Sequence, residues 1–240
     1  MKKIITVCSI CGILAGCAGS KIEPEKPLSD IYSEAYEHFE DENYEIAAND
    51  FLQAESAFPN SEWAADALIM AAYSQYVDDD FAGSLITINR FMRFHPGHEN
   101  VPYIMYLKGM CYYRQVSDVR REPGMSRFAL SQFQQLTQRF PDSQYAENAK
   151  NKINILKNYI AGKLMYSGRN DIKKQNWPSA INNFQMVITN AGDTVMAPEA
   201  LYRLTECYSA LGITNQTDVY AKTLRTNFPE SDWTEKLDHR

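Results

Sequence analysis

The sequence predicts an all-α fold, a superhelical solenoid of about five helix pairs with one linking helix. A first observation is a repeated motif of phenylalanine, proline, a polar residue and serine, at Phe58–Ser61, Phe140–Ser143 and Phe228–Ser231, with a variant at His95–His98. A second is that apolar residues before each proline recur at helical spacing, and no stretch alternates for long enough to predict a sheet. Because proline ends a helix and a polar residue caps the next, each motif marks a boundary between helix pairs.

The motifs divide the chain into five units of similar length. These approximate units are 28–61, 65–98, 102–143, 161–194 and 198–231. The third unit is about eight residues longer, and we place its added length in the turn over 117–124. Residues 144–160 carry apolar side chains at helical spacing, which predicts a linking helix packed on the array. The first helix of each unit holds a small residue where the paired helices must approach closely, except for a threonine in the fifth. These positions are Ala35, Ala72, Gly109, Gly168 and Thr205.

The five units resemble tetratricopeptide repeats, in which an aromatic residue in the turn precedes a small residue, an apolar face and a terminal proline. In such arrays the first helices line a concave groove, which the resemblance places in the first three repeats, 28–143. The candidate groove residues are Tyr32, Tyr36, Phe39, Tyr73, Tyr76, Tyr103, Tyr106 and Tyr113. Tyrosine combines apolar area with a hydrogen-bonding group, which suits peptide binding. Packing between helices is the alternative for some of these rings.

The fourth and fifth repeats, within 161–240, carry a mixed apolar and charged face that favours a folded protein partner. The candidate docking residues are Arg120, Arg121, Arg169, Tyr202 and Glu206. The arginine pair lies in the longer turn of the third repeat, where an acidic partner surface and a simple solvated loop are equally good explanations.

Residues 1–16 have the pattern of an export signal peptide. Two lysines precede a short apolar stretch, and the small residues Ala15 and Gly16 precede Cys17. The apolar stretch is shorter than the roughly 20 residues that span a bilayer, so we interpret it as a removed signal. The segment ending at Cys17 resembles the lipobox of bacterial lipoproteins, which implies lipidation of that thiol and stable membrane attachment. An ordinary signal peptide with an incidental cysteine is the alternative. Residues 17–27 then form the lipidated end and a flexible polar tether.

Charge and motif content exclude several classes of function. The formal net charge is −6, and removal of the signal takes away two lysines and no acid, which leaves −8. An acidic chain without a basic stripe argues against a nucleic-acid partner. Cys111 and Cys207 occupy one position two repeats apart, beyond the Cα separation of about 7 Å that a disulfide allows, so we predict two reduced and partly buried thiols. The sequence carries no catalytic, cofactor or metal motif, and we predict a chain that is not an enzyme.

The chain also resembles the BamD family of the β-barrel assembly machinery. The matching segments are Tyr103–Gly109, which opens the third repeat, and Phe140–Ala146, which ends it. The resemblance implies an outer-membrane protein assembly factor, lipid-anchored at the periplasmic face of the outer membrane, because no aspartate follows Cys17. The groove would receive the C-terminal strand of unfolded outer-membrane proteins or another assembly lipoprotein, and the C-terminal repeats would dock the periplasmic domains of a BamA-like barrel subunit. The alternative is a pilotin-like tetratricopeptide lipoprotein for pilus or secretin assembly.

Overall fold

A computed structural model describes residues 26–116 and 124–239, and every regular element in these ranges is a helix. The helices are α1 (Leu28–Glu40), α2 (Tyr44–Ala57), α3 (Ala64–Val77), α4 (Phe81–Phe94), α5 (Val101–Arg114), α6 (Gly124–Arg139), α7 (Gln144–Lys173), α8 (Trp177–Ala191), α9 (Ala197–Ala210), α10 (Thr214–Asn227) and α11 (Asp232–Asp238). Successive helices pack as five pairs, from α1 with α2 to α9 with α10, and each pair packs on the next. The predicted all-α repeat architecture is therefore confirmed.

The turns that join the two helices of a pair share one backbone feature. In the turns that the structure describes in full, those of the first, second, fourth and fifth pairs, one residue has positive φ: Glu42, Asp79, Gln175 and Gly212. A left-handed residue just past a helix end closes the last turn and reverses the chain within three or four residues. The third pair differs, because its connection runs over 115–123. The added length of the third repeat therefore falls in the turn where the sequence predicts it.

The proline motifs act as helix boundaries, although not all of their serines are caps. The hydroxyl oxygen of Ser143 accepts a hydrogen bond from the Ala146 N–H at 3.1 Å, at the start of α7. Ser231 does the same for the Trp233 N–H at 3.3 Å, at the start of α11. Ser61 is different, since its Oγ is buried and has no hydrogen-bond partner among the described residues.

One predicted boundary is wrong. The linking helix expected over 144–160 and the first helix of the fourth repeat form a single helix, α7, which runs unbroken for 30 residues. No proline occurs between Pro141 and Pro178, so nothing in the backbone chemistry ends the helix where the repeat register suggests. The first half of α7 packs on α5 and α6, and the second half pairs with α8.

The predicted small residues do lie where paired helices approach most closely. Ala35 and Ala72 are completely buried. A methyl group added at Gly109 would lie 2.5 Å from the ring of Phe133, and one at Gly168 would lie 2.6 Å from the ring of Phe184. Both phenylalanines are themselves fully buried, so neither ring has space into which to withdraw.

We therefore expect Gly109→Ala to destabilise the protein despite alanine's better helix propensity. Overpacking a filled core costs about 1–3 kcal/mol, and about 1 kcal/mol is regained from propensity, for a net loss of up to about 2 kcal/mol. Urea denaturation followed by circular dichroism measures the free energy of unfolding. Gly162→Ala in the interior of α7 is the matched control, because a methyl group there would meet only the flexible end of the Met196 side chain, at 3.3 Å. Equal stability of the two variants would contradict the close approach.

The last helix covers the end of the array. Trp233 of α11 packs on Tyr202 of α9, with 5.2 Å between the ring centroids. Leu237 of the same helix joins the apolar cluster around Leu201 and Leu224. A terminal repeat needs such a cover because its outer face has no next repeat to bury it.

Both cysteines of the repeats are fully buried and free. Burial raises the pKa of Cys111 to about 11 and that of Cys207 to about 11. These thiols are therefore protonated at neutral pH and act as small apolar side chains. The prediction of two reduced cysteines is confirmed, with burial more complete than expected. Within the described ranges, no helix combines the length and apolar character needed to cross a membrane.

Candidate functional site: a tyrosine groove on the first helices

The predicted groove residues all lie on α1, α3 and α5, the first helices of the first three pairs. None is fully buried: Tyr36 is 40% exposed and the other seven are partly buried. Side chains three or four residues apart share a helix face, which explains why Tyr73 and Tyr76, or Tyr103 and Tyr106, lie side by side. A set of partly exposed rings is what a binding surface requires, because fully buried rings could not reach a ligand.

Six of the eight residues form one surface, which we call the tyrosine groove: the five tyrosines pack against a single apolar cluster, and the phenylalanine contacts one of them. Its members are Phe39, Tyr73, Tyr76, Tyr103, Tyr106 and Tyr113. The ring centroid of Phe39 lies 5.8 Å from that of Tyr73, which stacks on Tyr76 at 6.4 Å. Tyr103 and Tyr106 both contact Tyr145, at 5.4 and 5.8 Å. These are favourable aromatic separations, so the rings hold one another in place.

The phenols of the groove share a poorly solvated environment. Burial raises the pKa of Tyr103, and the neighbouring Tyr73, Tyr145 and Tyr76 raise it further. Burial likewise raises the pKa of Tyr106, with contributions from Tyr76 and Tyr113. These phenols therefore stay neutral at any physiological pH. The hydroxyls of Tyr73, Tyr103 and Tyr106 make no hydrogen bond to another described residue and are not sealed from solvent, so they remain available to a ligand.

Two cations lie at one end of the groove. The ammonium nitrogen of Lys152 lies 4.6 Å from the ring centroid of Tyr113. The guanidinium of Arg114 lies 5.7 Å from the ring centroid of Tyr76 and donates a hydrogen bond to Asp79 at 2.7 Å. Cations over aromatic faces are attracted to the ring and still present their outward side to solvent. Asp79 balances Arg114, whereas Lys152 has no carboxylate partner among the described residues, so Lys152 gives this end of the groove its capacity to accept negative charge.

The other two predicted groove residues form a separate cluster. Tyr32 contacts Tyr36 at 5.3 Å, Phe51 at 5.3 Å and Trp63 at 5.2 Å. Tyr36 also packs edge-on against Phe51, at 5.4 Å. Neither tyrosine packs against the apolar cluster beneath the groove tyrosines, and no ring contact joins either one to Tyr73 in the described structure. They anchor α1 on α2 and extend the aromatic surface without being part of the tyrosine groove.

Sequence reasoning missed three residues of the groove: Tyr145, Lys152 and Arg114. Tyr145 and Lys152 come from α7, which the sequence assigns to a linking helix outside the repeats. Their spacing of seven residues, two helical turns, is the only signal that they share a face. Arg114 is the last residue of α5, one position beyond Tyr113.

The candidate docking residues of the C-terminal repeats are only partly brought together. Arg169 donates two hydrogen bonds to Glu199, which also accepts one from Arg203. Burial alone would raise the pKa of the Glu199 carboxyl, but the two guanidinium groups outweigh it and lower that pKa. Arg203 also donates to Glu206 at 2.7 Å. Arg169 and Glu206 therefore belong to one charged network that spans α7 and α9.

Tyr202 has little surface to present to a partner. It is only 3% exposed, because α11 covers it. The repeat pattern ends before α11, so the sequence did not reveal that this helix covers Tyr202. We therefore predicted an exposed docking residue there. Cys17, Arg120 and Arg121 lie outside the described residues. Residues 26–116 and 124–239 contain no group of three or more His, Cys, Asp and Glu side chains arranged to hold a metal ion.

Comparisons with known proteins identify the family. A family model described as an outer membrane lipoprotein, YfiO, matches residues 24–224. The outer membrane protein assembly factor BamD of Caulobacter vibrioides is 32% identical over 92% of this chain and 74% of its own. BamD of Rickettsia prowazekii is 31% identical over 97% of this chain and 94% of its own.

Among solved structures, the TPR2AB domain of yeast Sti1 superimposes with a TM-score of 0.44 and 12% identity, covering 88% of this chain and 81% of that one. The match to the family model extends over both halves of the repeat array, from the residues before α1 into α10. The chain therefore belongs to the YfiO family of outer membrane lipoproteins, which includes the BamD assembly factors.

Proposed function

We propose that this chain is a lipid-anchored, non-catalytic scaffold that holds the C-terminal segments of unfolded outer-membrane proteins in the tyrosine groove. As a member of its family, the chain is an outer membrane protein assembly factor, and it acts at the outer membrane. Relatives named as assembly factors favour this role over the pilotin-like alternative. The proposal goes further in two respects: it names the surface that binds the substrate, and it says how the chain is attached to the membrane.

The observation that carries the proposal is the row of partly exposed rings from Phe39 to Tyr113. An extended peptide with alternating aromatic side chains would bury apolar area on these rings and satisfy their free hydroxyls. A peptide that ends in a carboxylate would place that charge beside Lys152, at the cationic end of the groove. Charge-assisted contacts of this kind add orientation to an otherwise apolar groove.

The C-terminal repeats would dock the barrel subunit of the assembly machinery. The network of Arg169, Glu199, Arg203 and Glu206 supports this role, because charges that are already oriented by each other lose little freedom on binding. A BamA-like periplasmic domain is the proposed partner, and other assembly lipoproteins would complete the complex.

The anchor would be an acylated Cys17 with residues 18–27 as its tether. Ten extended residues reach up to about 33 Å, which would place the groove at the periplasmic face of the membrane. Mass spectrometry of the N-terminal peptide from the native protein tests this, with acyl chains on Cys17 as the expected result. An unmodified Cys17 thiol would contradict lipid anchoring.

Depletion of the chain tests the function itself. We expect the amounts of barrel proteins in the outer membrane to decrease. Lipid-anchored and inner-membrane proteins should keep their levels, because only barrels need this pathway. Quantitative mass spectrometry of membrane fractions measures both groups in one experiment. Normal barrel levels, or a loss confined to secretins or pili, would reject the assembly role for this chain.

A further inference from the structure

A second surface with binding character lies on α4, which is the outer helix of its pair and carries none of the groove tyrosines. We call it the α4 surface, and it consists of Ile86, Asn89, Arg90, Arg93 and Phe94. Ile86 is 71% exposed and Phe94 is 59% exposed. The guanidinium of Arg93 lies 5.6 Å from the ring centroid of Phe94. Large apolar side chains exposed beside arginines are characteristic of protein–protein contact surfaces.

A cavity of about 470 Å³ opens beside this surface, between the end of α2 and the end of α4. Its lining includes Glu55, Asn60, Ser61, Arg90 and Phe94. Arg90 and Phe94 are therefore shared between the cavity and the exposed surface. A ligand could bind an apolar group on the surface and reach a polar group into the cavity.

The polar groups inside the cavity are held in place and incompletely satisfied. Glu55 is only 4% exposed, and its carboxylate lies 2.6 Å from the Arg90 guanidinium. That ion pair matches the two charges with each other. The buried Ser61 hydroxyl lacks a partner among the described residues. Buried polar groups without partners are rare in proteins, and they are explained where a ligand supplies the missing bond.

The α4 surface and its neighbour Lys108 carry net positive charge, whereas the chain as a whole is negative. Glu55 balances Arg90, whereas Arg93 makes no ion pair with another described residue. Lys108 donates a hydrogen bond to Asn89 at 3.0 Å and adds a second unbalanced charge. No acidic residue occurs within α4. This positive region on a chain of net charge −6 selects for negative partners.

We propose that the α4 surface and its cavity bind an acidic segment of a partner protein that also carries an aromatic or aliphatic side chain. Carboxylates of the segment pair with Arg93 and Lys108, and a main-chain N–H of the segment donates to the Ser61 hydroxyl in the cavity. The apolar side chain packs on Phe94 and Ile86. An anionic membrane surface is a poorer match, because a flat layer of headgroups does not fill a cavity whose unpartnered hydroxyl is buried. This binding site is distinct from the tyrosine groove and does not depend on the groove's function.

The test uses the full chain in detergent and a labelled peptide with the sequence Asp-Glu-Phe-Asp-Glu, followed by fluorescence anisotropy. The variant Arg93→Glu with Phe94→Ser removes one apolar side chain and changes the charge by −2 while leaving the Glu55–Arg90 pair intact. We expect it to weaken binding by about tenfold or more. Val219→Ser with Lys222→Glu makes the same changes on α10, where Val219 is also exposed, and should leave binding within about twofold of the unaltered chain.

Two further measurements distinguish recognition of an acidic segment from binding that does not depend on peptide charge. The Asn-Gln-Phe-Asn-Gln peptide should bind far more weakly than the acidic one, and a photoreactive residue in place of Ile86 should crosslink in cells to acidic segments of a protein. The proposal is overturned by equal binding of the two peptides, by unchanged binding to the α4 variant, or by crosslinks to neutral or basic segments. Absence of peptide binding together with binding to phosphatidylglycerol vesicles would assign the surface to the membrane instead. Circular dichroism of each variant confirms that it is folded.

Discussion

Replacing Tyr73 and Tyr106 together by alanine is expected to weaken substrate binding by at least about tenfold while far-ultraviolet circular dichroism stays nearly unchanged. The two rings lie on neighbouring first helices and contribute both apolar area and free hydroxyls to the groove. Both are partly exposed, so truncation removes ligand contacts and leaves the helix pairs intact. The measurement is photocrosslinking to a ten-residue peptide of alternating apolar residues that ends in a phenylalanine carboxylate.

The matched control removes two phenols from the other end of the molecule. Tyr208 and Tyr220 stack at 5.5 Å, and Gln185 donates a hydrogen bond to each hydroxyl, at 3.0 and 3.1 Å. Alanine at these two positions should cost some stability and leave crosslinking unchanged. If the Tyr73 and Tyr106 variant crosslinks as well as the unaltered chain, these tyrosines serve only to pack helices and the groove proposal fails.

The largest expected loss of stability follows from Phe133→Ala, which should lower the free energy of unfolding by about 3–5 kcal/mol. Phe133 is fully buried and fills the space that Gly109 leaves on the facing helix. It also supports the groove from beneath, with its ring centroid 5.7 Å from Tyr106 and 6.3 Å from Tyr113. We therefore expect this variant to bind substrate peptides less well in addition to unfolding at lower urea concentration.

Phe128→Ala is the control within the same helix. Phe128 is 56% exposed, so its removal should cost less than about 1 kcal/mol. A double-mutant cycle adds a sharper test, because Gly109→Ala should be nearly harmless once Phe133 is alanine. If Gly109→Ala lowers the free energy of unfolding as much in the Phe133→Ala background as it does alone, the destabilisation does not come from contact with this ring.

Local chemistry accounts for most of what the sequence predicted correctly. Proline and left-handed turn residues act within one or two residues of the chain, so helix ends near Pro59, Pro96, Pro141 and Pro229 can be predicted without a structure. The repeat register then identifies the close-approach positions, because equivalent residues in a repeat array have equivalent neighbours. Gly109 and Gly168 lie against Phe133 and Phe184 for this reason.

Errors arose where one element depends on a distant one. The boundary expected at residue 160 is absent, because repeat periodicity was given more weight than the lack of a helix-breaking residue. Tyr202 was assigned to a docking surface because its cover, Trp233, belongs to a helix outside the repeat pattern. The separate packing of Tyr32 and Tyr36 on Phe51 was likewise not visible in the sequence, because it depends on contact with α2.

By itself, the sequence determined the helical class, the number of pairs and the row of aromatic residues on the first helices. These features follow from periodicity, turn chemistry and residue type, all of which are local. Only the tertiary structure decided that Tyr145 and Lys152 complete the groove, and that the buried Glu55 holds Arg90 beside an exposed Phe94. Such contacts depend on how successive helix pairs stack. The sequence pattern of one helix contains no information about which residues of a neighbouring helix will pack against it.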